Sequence, residues 1–176
     1  MSGSTQTIDV LIAVDADYLI ANPNALVANA VSMLVNRDAI DSQASGIYAD
    51  GGYELWIDVK PGDNVRWRAT TLSRNFDRVA LITGIKQTSN PSNDPKETGS
   101  ISTPTSYNIP HIPVPYLEKS APHGIGKTDV TYTFWQAVAE DGGKLAYQIT
   151  FVLLDRDLNQ IGEPHTWDPF ITVNDR

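Results

Sequence analysis

The sequence predicts an all-β protein, an antiparallel β-sandwich of about eight to nine short strands. Three observations predict it. Between Asp129 and Asp157 apolar side chains recur at every second position, the period of a pleated strand. Val130, Tyr132, Phe134 and Val138 precede Asp141-Gly142-Gly143, and Leu145, Tyr147, Ile149, Phe151 and Leu153 follow it. Further alternating stretches are separated at short intervals by Gly, Pro, Asn and Asp, and the chain shows neither heptads nor internal repeats.

The stretch from Asp129 to Asp157 is expected to be the central element, a β-hairpin turning at Asp141-Gly142-Gly143, since these residues tolerate positive φ. Ahead of it, Thr7 to Val14 places Ile8, Val10, Ile12 and Val14 on one face, with Leu11 as an apolar exception on the other. Residues 25–35 fit two readings. Asn22 and Pro23 could open a helix carrying Leu26, Val27, Ala30, Val31 and Leu34; the preferred reading is a loop followed by a strand at Val31–Val35. Glu54 to Val59 and Val65 to Thr71 are strands around Lys60-Pro61-Gly62-Asp63, a turn with Pro and Gly at its centre. The second displays Arg66 and Arg68 on the face opposite Val65, Trp67 and Ala69. Val79 to Ile85 is another strand, and Gln87 to Thr105, rich in Ser, Asn, Pro and Thr, is a long loop. Tyr107 to Pro115 carries Pro110, Pro113 and Pro115, which confine it to an edge strand or an extended crossing segment. Asp155 to Gly162 turns the chain and Phe170 to Val173 is a short last strand.

The 176 residues suit a single domain, 1–176, with enough chain to bury a core. There is no cysteine, which excludes disulfides, a thiolate nucleophile and thiolate-bound metal. The formal charge of −8, from 21 acidic and 13 basic residues, argues against nucleic acid as a partner. The leading MSGSTQTIDV has neither a basic start nor an apolar run of signal-peptide length, and no stretch is long enough to span a bilayer. The expected location is the cytoplasm, with non-classical export as the alternative.

Motifs that would carry chemistry are incomplete. Gly126-Lys127-Thr128 matches the end of a phosphate-binding loop, but Ala121 stands at its first glycine and a β-rich stretch follows where a helix N-terminus is required. A flexible Gly loop is the reading. Asp155, Asp157 and Asn159 alternate as in the opening of a calcium loop, but Gln160 and Thr166 stand at its key glycine and glutamate, so a turn is the reading. His111, His123 and His165 are scattered, with no nucleophile signature near them. Asp15, Asp17, Asn22 and Asn24 form an oxygen-rich cluster after the first strand, where Asp15 and Asp17 could ligate Ca2+, a hard cation. Trp167 in His165-Thr166-Trp167-Asp168-Pro169 could supply an aromatic platform for a sugar.

Two resemblances extend this reading. Val59-Lys60-Pro61-Gly62-Asp63-Asn64-Val65-Arg66-Trp67 looks like the strand-turn-strand of cupredoxins, copper-carrying sandwiches, but the cysteine of a blue copper site is missing. A jelly-roll or cupredoxin-like topology is thus expected, without the copper. A wider resemblance, over nearly the whole chain, is to the inclusion body protein family of Gram-negative bacteria, the PixA and AidA-like proteins. It is carried by Ile8–Ala16, Leu55-Trp56-Ile57, Pro61–Arg68, Asn75-Phe76, Tyr132–Ala137, Tyr147-Gln148, Asp155–Asp157 and Trp167–Pro169. The resemblance implies a soluble, non-enzymatic bacterial β protein. Some members form intracellular crystalline inclusions, some are under quorum-sensing control, and members are linked to carbohydrate binding. The methionine-rich composition of some inclusion-forming members is absent, since this chain has only Met1 and Met33.

The function expected from these readings is a lectin-like carbohydrate-binding module, calcium-assisted, with Asp15, Asp17, Asn22, Trp167 and Asp168 at its site. The alternative is a structural or storage protein whose activity is homo-oligomeric self-assembly.

Overall fold

Alternating side chains need two surfaces to bury between, and the computed structural model supplies them as two packed sheets. It describes residues 5–88, 98–119 and 124–174. Among these are ten strands: β1 (Thr7–Val14), β2 (Val31–Leu34), β3 (Trp56–Val59), β4 (Asn64–Thr71), β5 (Val79–Thr88), β6 (Thr105–Leu117), β7 (Ile125–Val138), β8 (Gly143–Leu154), β9 (Gln160–Trp167) and β10 (Phe170–Val173). The first sheet has the order β2-β1-β4-β7-β6, the second β3-β10-β8-β5. Both β9 and β10 line the edge of β8 that β5 leaves free, β9 along 149–154 and β10 along 143–146. The all-β sandwich stands as expected.

Its wiring differs from the expectation in one recurring way. Asp129 to Asp157 is not a hairpin, because β7 lies in the first sheet and β8 in the second. Asp141-Gly142-Gly143 carries the chain across the sandwich instead of back along it. Gly143 has φ 130°, and a Cβ there would collide with Thr98 and Gly99, so the crossing needs glycine. The Lys60–Asp63 turn does the same between β3 and β4, with the buried Asp63 carboxylate accepting the Lys60 and Gln6 N–H groups. Alternation and turn residues are common to both arrangements; strand pairing is not written in them. As a consequence two pairs are parallel, β1 with β4 and β3 with β10, so the sheets are mixed rather than purely antiparallel.

Other expectations divide. Residues 25–35 are loop then strand, with a 3-10 turn at Val27–Asn29 before β2. Asn22 does not open a helix; it ends α1 (Ala16–Ala21), which the sequence reading missed. The proline-rich segment is an edge strand, β6. Gly126-Lys127-Thr128 is strand, the start of β7, rather than flexible loop; residues 120–123 of that segment lie outside those described. The expected loop at Gln87–Thr105 begins inside β5, and residues 89–97 are also outside those described. Asp155 does form the expected turn, its Oδ1 accepting the N–H groups of Asp157 and Asn159. That turn joins a true hairpin, β8–β9, whose second strand the sequence reading missed.

Between the sheets Trp67 from β4 meets Tyr147 from β8. Both are fully buried, their rings 5.4 Å apart, and Trp67 Nε1 donates to the Tyr147 hydroxyl at 3.1 Å. Burial pushes the Tyr147 phenol far above its usual range. Two polar atoms in a dry core satisfy each other. Tyr147→Phe leaves the indole N–H buried without an acceptor, which costs about 1–3 kcal/mol. Urea denaturation should show a lower midpoint with an unchanged slope, and an unaltered midpoint would contradict this role.

Candidate functional site

The oxygen-rich cluster after β1 is the framing of a short helix. Asp15 caps α1, its Oδ1 accepting the Tyr18 N–H at 3.0 Å, as first-turn amides require an acceptor. Asp17 sits exposed in the first turn, where a negative charge suits the helix dipole, 3.9 Å from Arg78 Nε. Asn22 closes the other end by donating its side-chain amide to the Tyr18 carbonyl at 2.9 Å. Trp167 is 7 % exposed and packs edge-on against Phe151 at 5.5 Å, so its ring lies against the core rather than open to solvent. Asp168 is exposed and accepts from Gln148 Nε2 at 3.1 Å. Nearby, burial and then the charge of Asp168 push the Glu54 carboxyl up. Among the described residues no group of three or more His, Asp or Glu side chains is placed to hold a metal ion.

Asp15 does border a cleft of about 670 Å³, together with Asn29, Ser32, Asp50 and Tyr53. Trp167 and Asp168 are not part of its lining. The candidate site read from the sequence is therefore divided: Asp15 borders a polar cleft, Asp17 and Asn22 lie on and at the end of α1 outside that lining, and Trp167 and Asp168 stand at the end of β9.

A second cluster lies on the outer face of the first sheet. Parallel pairing sets Asp9 of β1 opposite Arg66 of β4, and strand alternation brings Arg68 to the same face. Arg66 grips Asp9 with both ends of its guanidinium, Nε at 2.9 Å and Nη2 at 2.7 Å, and Arg68 Nη1 adds a third contact at 2.6 Å. Both guanidinium groups rest over the Phe134 ring, at 5.6 and 5.5 Å, and Tyr107 stacks on it at 5.5 Å. Partial burial pushes the Asp9 carboxyl up, and the hydrogen bonds and charges of Arg66 and Arg68 outweigh it, so the net shift is downward. The basic pair noted in the sequence thus shares one carboxylate from β1, which leaves one positive charge in excess.

From this cluster runs an apolar face of the surface. β7 pairs with β4 only over Trp135–Val138, but with β6 over Ile125–Gln136. Beyond Trp67 and Trp135 the two inner strands part around a cleft of about 630 Å³ bordered by Arg68, Arg74 and Tyr132. The described residues 105–119 and 124–134 therefore form a two-stranded ribbon backed by the sheet at its base alone. On β6, Tyr107 and Ile109 pair with Phe134 and Tyr132; after a bulge, Ile112, Val114 and Tyr116 pair with Val130, Thr128 and Gly126. The bulge spans Pro110 and His111, with His111 at φ 59°. One extra residue switches β6 from odd to even positions, so all these side chains share one face. Tyr107, Ile109, Tyr116 and Tyr132 are 46, 40, 52 and 45 % exposed. The sequence reading saw the prolines of this segment and missed the change of phase across Pro110-His111 that signals the face.

These features define a class: a mixed-sheet β-sandwich presenting a bare apolar ribbon. The PixA inclusion body protein family model matches residues 6–173, and the chain belongs to that family. The crystal structure of an inclusion body protein of this family from Burkholderia cenocepacia J2315 superposes with a TM-score of 0.73 at 21 % identity, covering 99 % of each chain. No curated protein sequence matches the chain. Among the described residues no helix is long and apolar enough to cross a membrane.

The depressed Asp9 carboxyl has a consequence for stability. Its contribution is complete above the unfolded-state value near pH 3.9 and is lost as pH falls through the lower folded-state value. Because the cluster is partly exposed, Asp9→Asn should cost about 0.5–1 kcal/mol at neutral pH. Urea midpoints between pH 2 and pH 7 should converge for variant and native protein at the acid end; a constant gap across the range would contradict it.

Proposed function

We propose that this protein is non-enzymatic and self-assembles into inclusions inside the bacterial cell. The observation that carries the reading is the apolar ribbon face, continuous from Phe134 at its base to Tyr116 near its tip. A monomer that keeps such a face in water exposes an association surface. Membership of a family described by inclusion bodies supports the same reading. The chemistry of assembly needs no catalytic group. It needs apolar area, a rigid scaffold to hold it, and a charge that is low where copies meet and high elsewhere. Static light scattering over a wide concentration range checks it: the mean mass should climb above the 19.3 kDa of one chain, and a mass fixed at that value in concentrated solution would overturn it.

A second reading, carbohydrate binding, has the cleft at Asp15 in its favour. Asp15, Asn29, Ser32 and Asp50 are hydrogen-bonding groups beside the Tyr53 ring, a combination that suits hydroxyls and apolar C–H faces of a sugar. Calcium would enter there as an aid to ligand rather than as a structural ion. On a glycan array with and without chelator, this reading expects discrete signals lost in Asp50→Ala; silence across a broad array would dismiss it.

A further inference from the structure

We propose that the apolar face of the β6–β7 ribbon docks against the same face of a second copy of this chain, about a two-fold axis that sets the tip of each ribbon on the base of the other. The inference rests on the self-assembly reading and adds to it the surface, the partner and the symmetry.

Four features lead to it. The ribbon is an unsupported pair of strands over most of its length, and such pairs are marginal in water without something to cover one face. The bulge at Pro110-His111 keeps the apolar side chains in phase on both sides of it, which serves a continuous contact and nothing within the chain's own core. The free edge of β6 carries Pro113 and Pro115, two residues apart and so on the same side, and neither has an N–H to donate. Edge-to-edge addition of a foreign or identical strand is thereby blocked, and contact is left to the face. Finally, charge selects the partner. In the described ribbon, residues 105–119 and 124–134, Glu118 and Asp129 balance Lys119 and Lys127, whereas the whole chain carries −8. The ribbon is thus a place where two copies of an acidic protein can approach without repulsion.

The orientation follows from the two ends. At the base, Arg66 and Arg68 share one Asp9, leaving a positive excess beside Phe134. At the tip, Glu118 donates its N–H to the Gly124 carbonyl and by alternation falls on the face of Tyr116. From Phe134 to Gly126 the ribbon extends roughly 27 Å at strand rise. An antiparallel two-fold contact therefore brings Glu118 of one copy to the base of the other's ribbon, the end at which its arginine pair lies. Such a contact is isologous: each residue meets in the partner what its own counterpart meets in return. Val130, midway between Phe134 and Gly126, lies near the axis and faces its own copy.

The chain has no cysteine, so a single introduced one reports directly. Under mild oxidation Val130→Cys should form a disulfide-linked dimer, while Leu26→Cys, 73 % exposed in the native chain and far along the sequence from the ribbon, should not. By sedimentation equilibrium, Ile109→Glu with Tyr132→Glu should weaken association about tenfold or more, Glu118→Lys should weaken it less, and Leu26→Glu should leave it as in the native protein. Circular dichroism melts confirm that each variant is folded, and the near-isosteric Val130→Cys carries the test if the double variant is not. Equal cross-linking at Val130 and Leu26, or a double variant that associates like the native chain, overturns the docking surface while leaving self-assembly in place. A native protein that remains monomeric overturns both. Binding of the native monomer to phosphatidylcholine–phosphatidylglycerol vesicles, lost in the double variant, would assign the face to a lipid surface and overturn the second copy as its occupant.

Discussion

The hydrogen bond from the Trp67 indole to the Tyr147 hydroxyl marks the constraint on which the fold depends: two sheets whose strands are joined mostly across the core, not along it. Two fully buried aromatic residues from facing sheets, each with a polar atom that only the other satisfies, fix how far apart the sheets lie and in what register. Because β3 to β4 and β7 to β8 both cross the sandwich, neither sheet can slip without breaking this contact. The pair belongs to a core that also holds Ile149, Phe151, Ile12, Met33 and Ile171, none of them reached by solvent.

The same wiring produces the surface. β4 spends its first four residues pairing with β7 and then follows β1 alone. β7 continues past the parting with only β6 beside it. A 14-residue strand held to its sheet over four residues is bound to project, and its apolar face has no layer above it. Arg66 and Arg68, drawn together by Asp9, cover Phe134 at the base. Beyond that point Ile109, Tyr132 and Tyr116 stay about half exposed. The prolines of β6 and the glycine at Gly126, over which the Tyr116 ring lies, show a ribbon whose edge is closed to pairing while its face is left flat and apolar.

Much of this was legible in the residues. Strand positions β1, β2, β4 and β10 follow from period-2 alternation, and the edge status of β6 from its prolines. Pairing was not legible, because Asp141-Gly142-Gly143 and Lys60-Pro61-Gly62-Asp63 permit a crossing as readily as a reversal. α1 was missed because six residues are too few to show a helical period, although Asp15 is the capping residue that announces it. β9 was missed because Gly162 and Pro164 interrupt its pattern, as an edge-lining strand allows. Asp15, Asp17 and Asn22 were read as ligands for the reason they make good caps: short oxygen-bearing side chains that bond nearby backbone. Trp167, in a polar sequence context, is buried because β9 folds back over β8 and presses it on Phe151. The ribbon face was hidden by a one-residue change of phase that no fixed-period reading can follow.

Hydrogen–deuterium exchange measured at low and high protein concentration tests this picture most directly. If the ribbon is uncovered in the single chain and covered by association, amides of Gly126–Phe134 exchange quickly when dilute and become protected when concentrated, while those of β8 beside Tyr147 are slow in both. Protection of the ribbon that is independent of concentration, or a β8 that exchanges as fast as the ribbon, would contradict it.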